Sequence, residues 1–372
     1  MADPETQTDA LREARRQVEI CNACRYCEGY CAVFPATMRR KEFLSGDLNF
    51  LANLCHNCKA CYHACQYAPP HEFAVNLPQA LAAVRQESYE RYAWPGIFGR
   101  VFRRSGVLVA IVTAAVTTLT VLLIGTLGGD AAHAPQTGPG AFYRVMSWAA
   151  MAGVAGVCLG FSLVALTMGA VKFWRDADLR VDGSRPVAQA AGDVLTLRYL
   201  GGGHGGADGC NDTGESFSQT RRWLHHLLFY GFLLCFASTT VATFYHHVLG
   251  RLAPYPLFSA PVVLGLAGGL GMTAGAAGLL WVKIITDPAP DARRVLGGEY
   301  ALLGLLLAVA LSGCLLLALR ESALMVAALS VHLGLVFSFF LLLPYSKMVH
   351  GFYRALALLK NANENQGERQ RP

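Results

Sequence analysis

Apolar positions crowd into six long runs, near 107–128, 146–171, 223–245, 258–282, 300–319 and 323–345, whereas residues 1–106 mix charged and apolar positions in short stretches. Each run supplies the roughly 20 apolar residues that a helix needs to cross a hydrocarbon core. The pattern predicts a mostly α fold: a polar N-terminal domain over 1–104, a six-helix transmembrane bundle over 105–360 and a disordered tail over 361–372. Six crossings return both ends of the chain to one side. Among the basic residues beyond residue 106, the connections on that side, 172–222 and 283–299, and the stretch after the last run hold most, while 129–145, 246–257 and 320–322 hold one each. Basic loops stay cytoplasmic, so both termini are expected in the cytoplasm and the chain in a bacterial inner membrane. The first twenty residues are charged throughout and lack the apolar core of a cleaved signal.

Composition agrees with this reading: 53% hydrophobic and 15% charged residues are too apolar for a soluble two-domain chain. The net charge of +6 is explained by the basic connections and gives no reason to expect nucleic acid. Eight of the 12 cysteines fall between Cys21 and Cys65. In a reducing compartment, that density points to metal ligation rather than to disulfides.

The cysteines form two runs, CNACRYCEGYC at 21–31 and CHNCKACYHAC at 55–65, each spaced C-x2-C-x2-C-x3-C and offset by 34 residues. Three close cysteines grip three corners of a cubane, and the fourth reaches the neighbouring cluster in two-cluster ferredoxins. Cys21, Cys24, Cys27 and Cys65 are therefore expected to hold one [4Fe-4S] cluster, and Cys55, Cys58, Cys61 and Cys31 a second. Two zinc sites are the competing assignment, but zinc ligands usually come as two separated pairs. Proline follows each run only after a gap, and the 23 residues between Cys31 and Cys55 include a helical pattern. An α-helical ferredoxin-like domain fits these features better than the compact β-rich kind.

Histidine at membrane depth is costly and marks candidate function. His225 and His226 open the third run, His246 and His247 close it, His332 lies within the sixth and His350 just beyond it. On antiparallel helices, His225 or His226 is expected to face His350, and His246 or His247 to face His332. That gives axial ligands for a b-type haem near the cytoplasm and for a second on the far side; interfacial histidines are the plainer alternative for the adjacent pairs. Arg221, Arg222, Lys347 and Arg354 are placed to pair with propionates. The glycines of two bare dinucleotide patterns, around Gly269 and around Gly201, lack the strand–turn–helix context and do not predict a nucleotide pocket. Gly265, Gly269, Gly271 and Gly275 instead predict a close helix crossing. The 195–222 segment, opening on the β-like run LTLRYL, reads as a hairpin bridging the two domains, with His204 and Cys210 as contacts. Cys158, Cys235 and Cys314 read as small core residues.

The duplicated CNACRYC and CHNCKAC runs, RYLGGG, RRWLHH and HLGLVFSFFLLLPYSKMVHG together resemble the tricarballylate utilization protein B family, TcuB or CitB, over nearly the whole chain. The resemblance implies a membrane subunit with iron–sulfur clusters and haem that reoxidises an FAD-dependent tricarballylate dehydrogenase (TcuA-like) and passes electrons to quinone. His332 and His350 also look like haem ligands of nitrate reductase gamma subunits, where a further histidine stands half-way along the partnering helix. Here that place holds Cys235 and Phe236. Other classes compatible with the residues are a relay serving another flavoenzyme, of cobalamin synthesis or heterodisulfide-reductase type, and a membrane redox sensor or zinc-dependent transporter. No flavin fold is evident, so the chain is not expected to act as a dehydrogenase alone.

Overall fold

The computed structural model describes residues 8–126, 135, 137–201, 209–292 and 296–369, and these are mostly helical. Five helices build the N-terminal domain: α1 (Asp9–Cys24), α2 (Val33–Met38), α3 (Ser45–Leu54), α4 (Ala60–His63) and α5 (Leu77–Tyr92). Two of their starts are written in side chains. Thr8 Oγ1 accepts from the Leu11 N–H, and Asn76 Oδ1 accepts from the Gln79 N–H with Pro78 in the first turn. Leu48, Leu51 and Leu54 of α3, Val18 of α1 and Leu81 and Val84 of α5 are buried in one core. Each such side chain contributes roughly 1.5–3 kcal/mol of burial before the entropy of ordering is subtracted.

The remaining helices are α6 (Gly96–Thr126), α7 (Ala141–Val145), α8 (Trp148–Asp176), α9 (Arg185–Leu195), α10 (Thr220–His247), α11 (Ala260–Ile285), α12 (Leu296–Leu319), α13 (Met325–Leu342) and α14 (Val349–Arg369). Six of these, α6, α8 and α10–α13, are long and apolar enough to cross a membrane, one for each predicted run. The protein is a multi-pass membrane protein. Helix α6 breaks at Ser105 (φ −151°, ψ 49°), beside the expected boundary at Arg104. Past that kink Ile111, Leu119 and Leu123 are exposed, as lipid contact requires.

Helices α10 and α11 approach backbone to backbone. A Cβ on Gly231 would lie 2.7 Å from Met272 N and 2.8 Å from Gly268 O. Of the predicted glycines, Gly271 and Gly275 face α10 backbone, while Gly265 and Gly269 make room for the Ser238 and Cys314 side chains. Such proximity gains dispersion that lipid cannot replace.

Two expectations for segments outside the membrane-spanning helices are corrected. Residues 361–369, expected to be disordered, continue α14. Glu364 pairs with Arg40 at 2.8 Å, Arg39 donates to Asn361, and Lys360 lies over the Phe50 ring, so the polar residues that read as disorder are docking contacts on the N-terminal domain. The expected β-like run at 195–200 is the end of α9 and a 3₁₀ turn, Arg198–Gly201. Pro186 in the first turn and three alanines favour helix there. The hairpin shrinks to a single antiparallel bridge between Cys210 and Ser218.

Candidate functional site

The duplicated cysteine motifs fold as duplicated backbone. Arg25 and Lys59, at matching positions, both take left-handed φ angles of 57° and 66°. Each turn redirects the chain between the second and third cysteines. Cys21, Cys24, Cys27 and Cys65 line one void, and Cys31, Cys55, Cys58 and Cys61 line another. Each void is lined by one of the two crossed sets drawn from the spacing, and Cys61 also reaches the first. Cys61, Phe34 and Leu77 line both voids, so one layer of side chains separates them.

Four thiolates on one zinc at about 2.3 Å would bring the sulfurs to about 3.8 Å from each other. Among the described residues, no group of three or more metal-ligating side chains converges on a point suited to a single ion. The cysteines line a void, and their spacing is the one that suits a polynuclear cluster. Burial, followed by the neighbouring thiols, pushes Cys21 and Cys27 up to about 12. Bare thiols there are neutral, so metal loading releases protons. Backbone N–H groups of Val33 and Phe34 donate to Cys31, Ala60 to Cys58 and Asn57 to Cys55 at 3.4 Å. In the other set such donors reach Cys65, from Tyr67 and Ala68.

The second set touches the membrane domain directly. The Cys55 carbonyl accepts from Arg85 of α5 and, at 2.9 Å, from Arg354 of α14. Arg354 stands one turn beyond His350, whose ring faces His225 of α10 with centroids 6.1 Å apart. Two imidazoles sharing one iron, each bonded at about 2 Å, stand at a similar separation. His350 Nδ1 is engaged by the Lys347 carbonyl, which leaves Nε2 for a ligand. His225 Nδ1 and Arg354 Nε are buried without hydrogen-bond partners. A haem iron and a propionate would satisfy such groups, so the residues fit that cofactor. Burial, then the Arg354 charge, holds His350 well below its ordinary range and keeps it neutral, the ligating form. His226 stacks on Tyr230 instead, so His225 is the inward member of its pair.

The connection before α10 bridges the domains as expected. The Asn211 N–H donates to the Cys58 carbonyl at 2.9 Å, and Arg221 donates to the Asn57 carbonyl at 2.7 Å. Cys210 is buried with its thiol donating to the Leu200 carbonyl, while His204 lies outside the described residues. Lys59 pairs at 3.1 Å with Asp291 of the connection between α11 and α12.

Sequence reasoning missed His56. It lines the second void, is 9% exposed, and its Nδ1 lies 2.9 Å from the Leu54 carbonyl. Burial, then Arg354, holds it well below the usual histidine range. The matching position in the first motif is Asn22, and that break in the duplication was the available signal.

The far-side histidines do not meet. His246 stacks on Trp148 at 5.1 Å and contacts the Tyr143 hydroxyl, and His247 meets the edge of Trp148. His332 bonds to Ser312 through Nδ1 at 3.1 Å. The reason is depth: His332 lies seven residues, about 10 Å, inside the start of α13, whereas His246 and His247 are the last residues of α10. They take up an aromatic belt at the interface, and His332 instead lines a cavity with Cys235, Phe236 and Cys314.

With two cysteine-lined voids set above a six-helix membrane bundle, comparison with known proteins is decisive. Residues 102–371 match the citrate utilization protein B family, and residues 14–91 match the citrate utilization protein B Fer4-like domain. The chain belongs to the citrate utilization protein B family. It is 46% identical over 365 residues to citrate utilization protein B of Escherichia coli, covering 98% of this chain and 95% of that protein. No solved structure matches. The Fer4-like match makes the cysteine domain of this citrate utilization protein B family member an iron–sulfur domain, and the chain an electron-transfer protein of the membrane.

Proposed function

We propose that the chain reoxidises an FAD-dependent dehydrogenase acting on tricarballylate or a related tricarboxylate and passes the electrons to membrane quinone. Cys21, Cys24, Cys27 and Cys65 would hold one [4Fe-4S] cluster, Cys31, Cys55, Cys58 and Cys61 the second, and His225 with His350 a b-type haem. These groups supply one-electron redox chemistry when bound. The name of the Escherichia coli relative supports the substrate class, and the basic connections support a cytoplasmic cysteine domain on a bacterial inner membrane.

The observation that carries the reading is the Arg354 bond to the Cys55 carbonyl, four residues from the His350 ring that faces His225. A ligand of the inner cysteine set and a candidate haem ligand are thereby fixed in one contact network. Arg85 and Arg354 add positive charge beside cofactors that carry negative charge, which stabilises their reduced forms. His56 lines the inner void, bonded to the Leu54 carbonyl and beside the Tyr199 ring.

The test is anaerobic purification of the full chain with iron, labile sulfide and haem quantified together, alongside electron paramagnetic resonance. Two interacting cubane signals and a reduced b-type spectrum are expected. Zinc without sulfide or haem would sink the proposal.

A further inference from the structure

Electrons delivered singly at the cytoplasmic end must leave through an acceptor that dissolves in the bilayer. We infer that the cavity walled by α10, α11, α12 and α13 binds the head group of an isoprenoid quinone, with His332 as the hydrogen-bond partner of one carbonyl. The inference rests on the relay reading above and adds a site to it.

The cavity measures about 390 Å³, within the range of small-molecule sites, and is mainly apolar, with Phe232, Met272 and Phe339 in its wall. Its polar side chains are few, and most are already engaged. Ser238 donates to the Pro261 carbonyl, Thr239 to the Cys235 carbonyl and Arg320 to the Tyr255 carbonyl. His332 bonds to Ser312 through Nδ1 and has the Val309 backbone as a further partner, so Nε2 would be the ring nitrogen offered to a ligand. The Ser312 hydroxyl also reaches the Val309 carbonyl at 3.0 Å. By turning its single hydrogen between Val309 and His332, Ser312 lets the imidazole present either Nε2–H or a bare Nε2. A carbonyl needs the first partner and a hydroxyl the second, which are the two ends of quinone reduction.

Position supports the same occupant. Phe232 lies seven residues, about 10 Å, along α10 from His225, and its ring packs on Phe339 at 5.7 Å. The cavity therefore begins two turns from the candidate haem pair. Phe236 and Thr239 line it while being exposed on the lipid-facing surface, which gives a tail a way out into the bilayer. A second haem is disfavoured because the α10 residues opposite His332 include Phe232, Cys235 and Phe236 but no histidine. In the reaction, the partner's reduced flavin supplies two electrons, passed one at a time, and water at the Arg320 end supplies two protons. Each quinone C=O becomes C–OH, and the flavin is oxidised.

The full chain, purified anaerobically in detergent, is titrated with the fluorescent quinol analogue heptyl-hydroxyquinoline N-oxide, and haem per chain is measured on each preparation. One equivalent of analogue is expected to bind. His332→Leu should weaken binding roughly tenfold by removing the hydrogen bond. Thr239→Trp, a change at an exposed position that fills the mouth, should weaken it at least as much. Haem content and reduced spectrum should stay at wild-type levels in both variants. Loss of a haem equivalent in His332→Leu, or unchanged binding in Thr239→Trp, would overturn the inference alone. Wild-type chain lacking both cubane iron and haem would overturn the relay reading, and this inference with it.

Discussion

The two ends of the membrane bundle carry the same residue types and different constructions. At the end beside the N-terminal domain, His225 and His350 face each other, and Arg354 and Arg85 donate to the Cys55 carbonyl of the motif loop, so that three helices converge there. On the far side, His246 and His247 rest on Trp148, while His332 stands deeper and bonds to Ser312. Histidines at suitable helical spacing are thus a weak sign of a site. Convergence of several elements on unpaired nitrogen atoms is the stronger one.

The sharpest way to break this comparison is to delete one histidine at each end. His350→Leu or His225→Leu should lose the haem signal entirely, since a bis-histidine site cannot keep its iron bonds with one imidazole gone. His246→Leu and His247→Leu should retain haem in full. A pyridine haemochrome assay on purified chains decides between them, and equal retention in all four variants would erase the distinction between the ends.

A second, smaller effect separates the cysteine sets. On the proposed assignment, Cys58→Ser should remove the inner cluster and halve iron and labile sulfide, with the signal of the outer cluster surviving because Cys58 does not line the outer void. Loss of both signals would mean that the two voids are not independent sites.

The next effect concerns tuning. Arg354→Gln removes a positive charge beside Cys55 and His350, which should lower the potentials of the inner cluster and of the haem together. Removing a unit charge at such range is worth about 2 kcal/mol, on the order of 100 mV for a one-electron couple. A potentiometric titration that moves only one of the two would show that Arg354 does not serve both. The inner set also receives N–H donors at Cys31, Cys55 and Cys58, against donors at Cys65 for the outer one. It should therefore titrate at the higher potential.

Much of this was legible in the sequence because its signals are local. Six apolar runs give six helices, and the offset of 34 residues gives two cysteine sets, since spacing within one segment constrains geometry directly. The kink at Ser105 falls where the composition changes. What could not be read depends on depth and on contacts between distant segments. The level of His332 relative to His246 depends on where α10 and α13 end, and the Arg354–Cys55 bond joins residues 299 apart in sequence. Polarity after residue 360 misled for the same reason, because Glu364 finds its Arg40 partner on a surface that the N-terminal domain presents.

That last contact yields the smallest and most discriminating effect. Helix α14 carries His350 at its start and docks on the N-terminal domain near its end through Glu364, which bonds Arg40 and lies 3.8 Å from Lys360. Arg40 keeps a second partner in Asp47 at 2.7 Å, so Glu364→Ala leaves the guanidinium paired on one side. A partly exposed pair of this kind is worth about 1 kcal/mol or less, and Tm should fall by no more than a few degrees. If the near-side site is held by the whole network of Arg85, Arg354 and the motif loop, haem content should stay unchanged in this variant while Tm drops. If haem is lost along with the small fall in Tm, the docking of α14 rather than local convergence would be what sets the two ends apart.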